Sequence, residues 1–120
     1  MSLTQQEVFD KSTLGIIEQG CKPAIDHDSC LYRVGARKCA AGHLISDAEY
    51  SEMMEDMNIS EVIKEWRLTH LSKHSGLLGA LQKAHDKTLY ESGIEAWKTQ
   101  LLLIADRYGL NTEVLKKIPA

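Results

Sequence analysis

Helix starts are spelled out along this chain. Thr4 with Glu7, Ser46 with Glu49, and Ser92 with Glu95 each carry the S/T-x-x-E capping box, and Asn58 with Glu61 repeats the spacing. In such a box the cap oxygen accepts a free N–H of the first turn, and the acid three residues on reaches back to the cap N–H. Capped starts recurring along 120 residues direct the chain toward a mainly helical fold.

Apolar spacing fills in the elements. A first helix is expected over residues 5–19, stopped by Gly20, with Val8, Phe9, Ser12, Ile16 and Gln19 on one face. "KPAIDHDS" reads as loop, because Pro23 disfavours helix at Lys22 and Asp26, Asp28 and Ser29 favour turns. "CLYR" and "KCAAGHLI" flank the glycine-bearing "VGAR" and read as a short β-hairpin, the one strand signal. Helices are expected over 47–56 and 59–66. A longer one, over 69–90, places Leu71, His74, Leu78, Leu81, His85 and Leu89 on one face. A helix over 94–108 ends at Gly109, and a short one follows Asn111. The expected fold is mainly α with one short β-hairpin: a single compact domain, residues 1–120, of about five or six helices.

Hydrophobic residues at 43% and charged residues at 26% are ordinary for a globular protein. The net charge of −3 argues against a DNA or RNA polymer as partner. The longest apolar run, "LLLIA", is far short of the ~18 residues that span a bilayer, so no membrane partner is expected. The opening "MSLTQQEVFD" lacks the basic and apolar regions of a signal peptide, and three cysteines are an odd number. These features place the chain in a reducing cytoplasm with free thiols.

The densest chemistry lies in "CLYRVGARKCAAGHLISDAEY", Cys30 to Tyr50. Cys30, Cys39 and His43 make C-x8-C-x3-H, with Cys21 or His27 as a fourth zinc ligand. The cysteines stand wider apart than the C-x2–4-C of structural sites, and buried thiols are the plainer reading. His70 and His74, four apart on a helix, form a second, incomplete ligand pair. Cys39 beside Lys38 and Arg37 is a candidate thiolate nucleophile, with His43 or His85 as base and Asp86 or Asp47 to orient it. No nucleophile signature surrounds it, and the chain is read as no enzyme, without cofactor or metal.

Charge separates more clearly. Residues 30–43 hold Arg33, Arg37 and Lys38 and no acid, whereas residues 45–63 hold six acids and no Lys or Arg. One reading pairs the two segments, or leaves each as a solvated face, for ~0–1 kcal/mol per exposed pair. The other gives the hairpin an anion. Arg33, Arg37 and Lys38 grip it, Tyr32 or Tyr50 stacks on a base, and His43, Ser46 and Asp47 complete the pocket beside a helix start. Met53, Met54 and Met57 lie among the acids, with Met53 and Met57 expected on a core-facing stripe.

The central segment resembles a group of small, mostly uncharacterised proteins of bacteria and their phages. Their pattern is a Cys-x-Tyr-Arg strand, a glycine turn, then Lys-Cys-Ala-x-Gly-x-Leu-Ile-x-Asp-x-x-Tyr. Here it reads Cys30, Tyr32, Arg33, Gly35, Lys38, Cys39, Ala40, Gly42, Leu44, Ile45, Asp47 and Tyr50. Relatives carry proline where this chain has Ser46; both suit a helix start. "LQKAHD" and "LLLIADRYGL" extend the likeness across most of the chain. The resemblance implies a shared compact fold and a phage or prophage setting, where small non-catalytic proteins block host defence. It also implies that the position of His43 tolerates other residues.

Together these give the expected function: a non-catalytic binding protein in the host cytoplasm, sequestering a small anionic, nucleotide-like signal. The alternatives are an interaction module inhibiting a host protein through its acidic segment, and a small zinc or cysteine-dependent protein. Homo-oligomerisation is expected if a second subunit completes the pocket.

Overall fold

The computed structural model describes residues 3–26 and 29–119; His27 and the Cys30 side chain lie outside what it describes. Four helices carry the fold. α1 is Gln5–Glu18, and α2 is Ile59–Glu65. α3 begins as Ser75–Lys83, widens into a π-helical stretch at Ala84–Leu89 and ends as Tyr90–Ser92. α4 is Ile94–Tyr108. The Thr4–Glu7 and Asn58–Glu61 capping boxes form in full at the starts of α1 and α2. Short 3-10 turns at Gly42–Leu44, Glu52–Met54, Ser72–His74 and Glu113–Lys117 fill the connections.

Among the described residues the helix count is four, against the five or six expected, for two reasons. Residues 47–56 form no helix: Tyr50 and Ser51 break away, and Ser51 caps only the Glu52–Met54 turn. The closing segment is 3-10 at Glu113–Lys117. The long helix also starts late, because residues 69–74 are turns, although all six residues expected on its inner face are buried.

Among the described residues two antiparallel strand pairs are present, where one was expected. β1, Ile25–Asp26, lies in the segment read as loop and pairs with β2, Ser29–Cys30, which joins the end of that segment to the first residue of the expected strand. β3, Arg33–Val34, pairs with β4, Arg37–Lys38, in the hairpin that was expected. Gly35 has φ +59° at the first turn position, where two-residue hairpins favour glycine.

One buried cluster runs through the chain, from Val8, Phe9 and Ile16 of α1 to Leu77, Leu78 and Leu81 of α3 and Trp97 and Leu101 of α4. Met54 is fully buried but Met53 is 77% exposed, so Met53 does not face the core as its spacing implied. The Cα radius of gyration, 13.2 Å, is what a compact chain of this length has. No helix among the described residues is long and apolar enough to cross a membrane.

Long-range polar contacts fasten the hairpin. The Gln19 side chain donates to the Lys38 carbonyl (2.8 Å) and accepts from the Lys38 N–H (3.0 Å), acting as a further strand partner for β4. Ser12, buried in α1, donates to the Ala40 carbonyl at 2.9 Å. On the far side Glu55 accepts from the Tyr32 N–H (2.8 Å) and the Tyr50 hydroxyl (2.6 Å). That use of Glu55 explains the missing helix, since a helical run over 47–56 would carry the acid away from both donors.

Candidate functional site

The hairpin, the Gly42–Leu44 turn and the N-terminal half of α1 enclose a polar cleft of about 410 Å³. Lys11, Lys38, His43, Ser46, Asp47, Glu49 and His70 line it. Four of these were expected from the sequence: Lys38, His43, Ser46 and Asp47. Arg33 joins them from the side, where its Nη1 meets Asp47 Oδ1 at 2.8 Å and its Nη2 donates to the Ile45 carbonyl at 3.0 Å. Tyr50 stacks under that guanidinium, 4.4 Å from ring centroid to Cζ, a cation–π arrangement. Lys38 Nζ approaches the same Asp47 oxygen at 3.9 Å. Arg33, Lys38, His43, Ser46, Asp47 and Tyr50 therefore form one constellation.

Two expected members lie elsewhere. Tyr32 is 6% exposed, and its hydroxyl donates to the Met57 carbonyl at 2.6 Å. Burial pushes that hydroxyl well above the ordinary tyrosine range. Arg37 is exposed and turns toward the Pro23 carbonyl, 3.5 Å away. The Tyr50 hydroxyl is raised to about 12, by burial first and then by its bond to Glu55.

The corner at Ser46 is not a helix start. Ser46 N–H donates to Glu49 Oε1 (2.9 Å) and Glu49 N–H to Ser46 Oγ (3.2 Å), so the capping box closes around a single turn. Its donors are consumed internally and offer an anion no helix terminus. Lys11, Glu49 and His70 were missed as site members. Only the Ser46–Glu49 box brings any of them near the site in sequence. His70 reaches it by folding, with Nε2 3.4 Å from the Leu44 carbonyl and Nδ1 3.8 Å from Glu49.

His43 sits deepest. Its Nε2–H donates to Gln19 Oε1 at 3.0 Å, and its ring packs so closely on Gly15 that a methyl group there would overlap it. Burial, then the charges of Lys38, Arg33 and Lys11, lower its pKa from 6.5 to about 4. The unfolded chain binds this proton first as pH falls, so the His43 contribution to stability is complete above 6.5 and is lost toward pH 4. Allowing for the ring's partial exposure, the loss is about 1–2 kcal/mol. Urea unfolding of the chain and of His43→Gln between pH 7 and 4.5 checks this. The difference in stability between them is expected to shrink or reverse as pH falls, and parallel curves would contradict it.

Cys39 does not fit the nucleophile reading. It is fully buried, its Sγ accepts from the Gly42 N–H at 3.2 Å, and burial raises its thiol to about 12. Arg37 and Lys38, expected to favour thiolate, are adjacent in sequence, but Arg37 is exposed and the Lys38 ammonium turns toward Asp47 in the cleft. Among the described residues, no three His, Cys, Asp or Glu side chains group closely enough to hold a metal ion. His74 instead donates Nε2–H to the Leu3 carbonyl at 2.7 Å, and the Cys30 side chain of the C-x8-C-x3-H set lies outside the described residues.

No protein-family model matches this chain, and neither a curated protein nor a solved structure matches it.

Proposed function

We propose that this chain is a non-catalytic binding protein whose hairpin corner takes a small anionic, nucleotide-like ligand. In a phage or prophage setting such a protein sequesters a host signal and blunts the defence that depends on it. The observation that carries the reading is Asp47. Its carboxylate is 88% exposed, yet it draws in Arg33, whose side chain is only 17% exposed, and Lys38. Two hairpin cations converge on an acid free to swing away, and a phosphate or carboxylate of a ligand takes its place. Arg33 Nε, buried and without a hydrogen-bond partner, adds a donor at the same point. Tyr50 holds the guanidinium plane in register, and the cleft beside it has the volume of a small ligand.

Calorimetry against cyclic and linear nucleotides tests this, with Asp47→Asn as the sharp variant. Removing the internal competitor is expected to tighten binding up to roughly fivefold, since an exposed pair contributes ~0–1 kcal/mol. Arg33→Gln is expected to weaken binding by a factor of roughly ten or more, the loss of hydrogen bonds to a charged group. Silence with every nucleotide at about 1 mM, a binding free energy near −4 kcal/mol, defeats the proposal.

A second reading rests on Met53, which stands 77% exposed beside Glu52 and Asp56 in the acidic segment. An apolar knob ringed by acids suits a basic protein surface. If nucleotides are silent and a host protein binds stoichiometrically unless Met53→Asp is introduced, the acidic segment is the working surface.

A further inference from the structure

We propose that the groove between α3 and α4 is a second binding site, for a small ligand that carries a phosphate and an apolar part. This goes beyond the hairpin site and shares no residue with it. The groove encloses about 430 Å³. Lys83, Lys87 and Thr88 face it from α3, and Gln100, Leu103 and Arg107 from α4, with no acid among the lining residues. In a chain of net charge −3 that is a concentrated exception.

Three features point to an anion. First, Lys83 and Lys87 lie four apart on one helical face, where like charges repel by ~0.2–0.5 kcal/mol, and Arg107 adds a third cation from across the groove. Second, none of the three forms an ion pair within 4.0 Å among the described residues. Both lysines also border the cavity on the other face of α3, where Glu55, Asp56 and Asp86 lie, yet neither pairs with them. Third, Lys87 and Thr88 lie in the π-helical stretch Ala84–Leu89, a distortion that recurs at functional sites.

The chemistry selects the class of ligand. Arg107 offers a planar fork and the lysines two point charges, a set suited to a phosphate. Thr88 and Gln100 add neutral hydrogen-bonding groups. The rest of the lining is alanine and aliphatic, and Leu103, 58% exposed, gives an apolar wall for a ring or short chain. A bare phosphate leaves that wall unused. The spacing was present in the sequence, as residues 83, 87 and 88 and residues 100, 103 and 107, but nothing there says that the two stripes face each other.

Backbone-amide NMR titration locates binding as well as measuring it. The probes are adenosine monophosphate, inorganic phosphate, adenosine, and a peptide copying residues 45–63. The monophosphate is expected to shift amides at 83–88 and 100–107, and to bind roughly tenfold tighter than phosphate or adenosine. Lys87→Glu and Arg107→Glu are each expected to weaken it by a factor of ten or more. Both side chains are exposed, so neither change disturbs the core. The proposal is overturned by any of three results: no shift in these segments at about 1 mM, shifts that both reversals leave unchanged, or binding of the acidic peptide alone. Shifts confined to residues 33–50 would report the hairpin site and count against the groove.

Discussion

Replacing His85 with alanine is expected to destabilise the fold by about 4 kcal/mol, the sum of a cavity and an orphaned donor. His85 is 0% exposed. Its Nε2 faces the Ala24 N–H at 3.0 Å, and a backbone N–H can only donate, so Nε2 is the acceptor and the proton sits on Nδ1. Nδ1–H then donates to Asp86 Oδ1 at 2.7 Å. Gln82 Nε2 donates to the same carboxylate at 3.1 Å, while Gln82 Oε1 accepts from the Ala41 N–H at 3.0 Å. One chain of bonds thus ties α3 to Ala24, just before β1, on one side and to Ala41, just before the Gly42–Leu44 turn, on the other. A marginal domain holds ~5–15 kcal/mol in total, so His85→Ala removes a large share of it. His85→Phe separates the two contributions. It refills the volume, leaves Ala24 N–H unsatisfied, and is expected to cost about 2 kcal/mol. Chemical denaturation measures both; a loss below about 1 kcal/mol for the alanine variant would show that the network does not hold these elements together.

Neighbouring side chains on a regular helix point about 100° apart and seldom meet, yet His85 and Asp86 do. The π-helical stretch Ala84–Leu89, with its wider turn, brings them together. The sequence offered that pair only as one of several candidate base and orienter sets for Cys39, while His85 otherwise read as one residue of an apolar stripe; its bond to Ala24 had no local signal. The general rule is that local codes were readable and distant pairings were not. The boxes at Thr4 and Asn58, the helix Ile94–Tyr108 and the turn at Gly35 each depend on residues a few positions apart. Local codes still fail where a neighbour competes. Ser92–Glu95 makes no cap, because Gly93 takes the cap position with φ +91°. Ser46–Glu49 closes a turn without a helix, because Glu55 is claimed by Tyr32 and Tyr50. For the candidate site, the cationic hairpin and Asp47 were visible as opposite charges close in sequence. The Gln19 bonds to Lys38, the Ser12 bond to Ala40 and the Ala24 bond to His85 join residues 19, 28 and 61 positions apart. No spacing rule reaches that far.

The second large effect is expected at Gly42, where alanine should cost about 3 kcal/mol, at the upper end of overpacking losses. The cause is proximity and not backbone angle, since Gly42 is not among the residues with positive φ. A methyl group built there overlaps the Tyr32 carbonyl oxygen and presses on Lys38 Cβ at 3.3 Å and Cys39 Sγ at 3.4 Å. The Tyr32 oxygen cannot retreat freely, because it accepts from the Cys39 N–H at 3.1 Å and so closes the hairpin base. Gly42 N–H is likewise committed to Cys39 Sγ. Relief requires the Gly42–Leu44 turn to move off the hairpin, which also moves His43 and Ile45 and with them the carbonyl that holds Arg33. Gly42→Ala should therefore weaken any ligand gripped at Arg33 as well as the fold. Gly79→Ala is the matched comparison. Gly79 lies inside Ser75–Lys83 with nothing within 4 Å of an added methyl, so alanine there should stabilise by ~0.5–1 kcal/mol through helix propensity. Thermal unfolding of the two variants is expected to move in opposite directions. Equal shifts would mean that the turn does not press on the hairpin as this geometry requires, and would remove the link from Gly42 to the grip on Arg33.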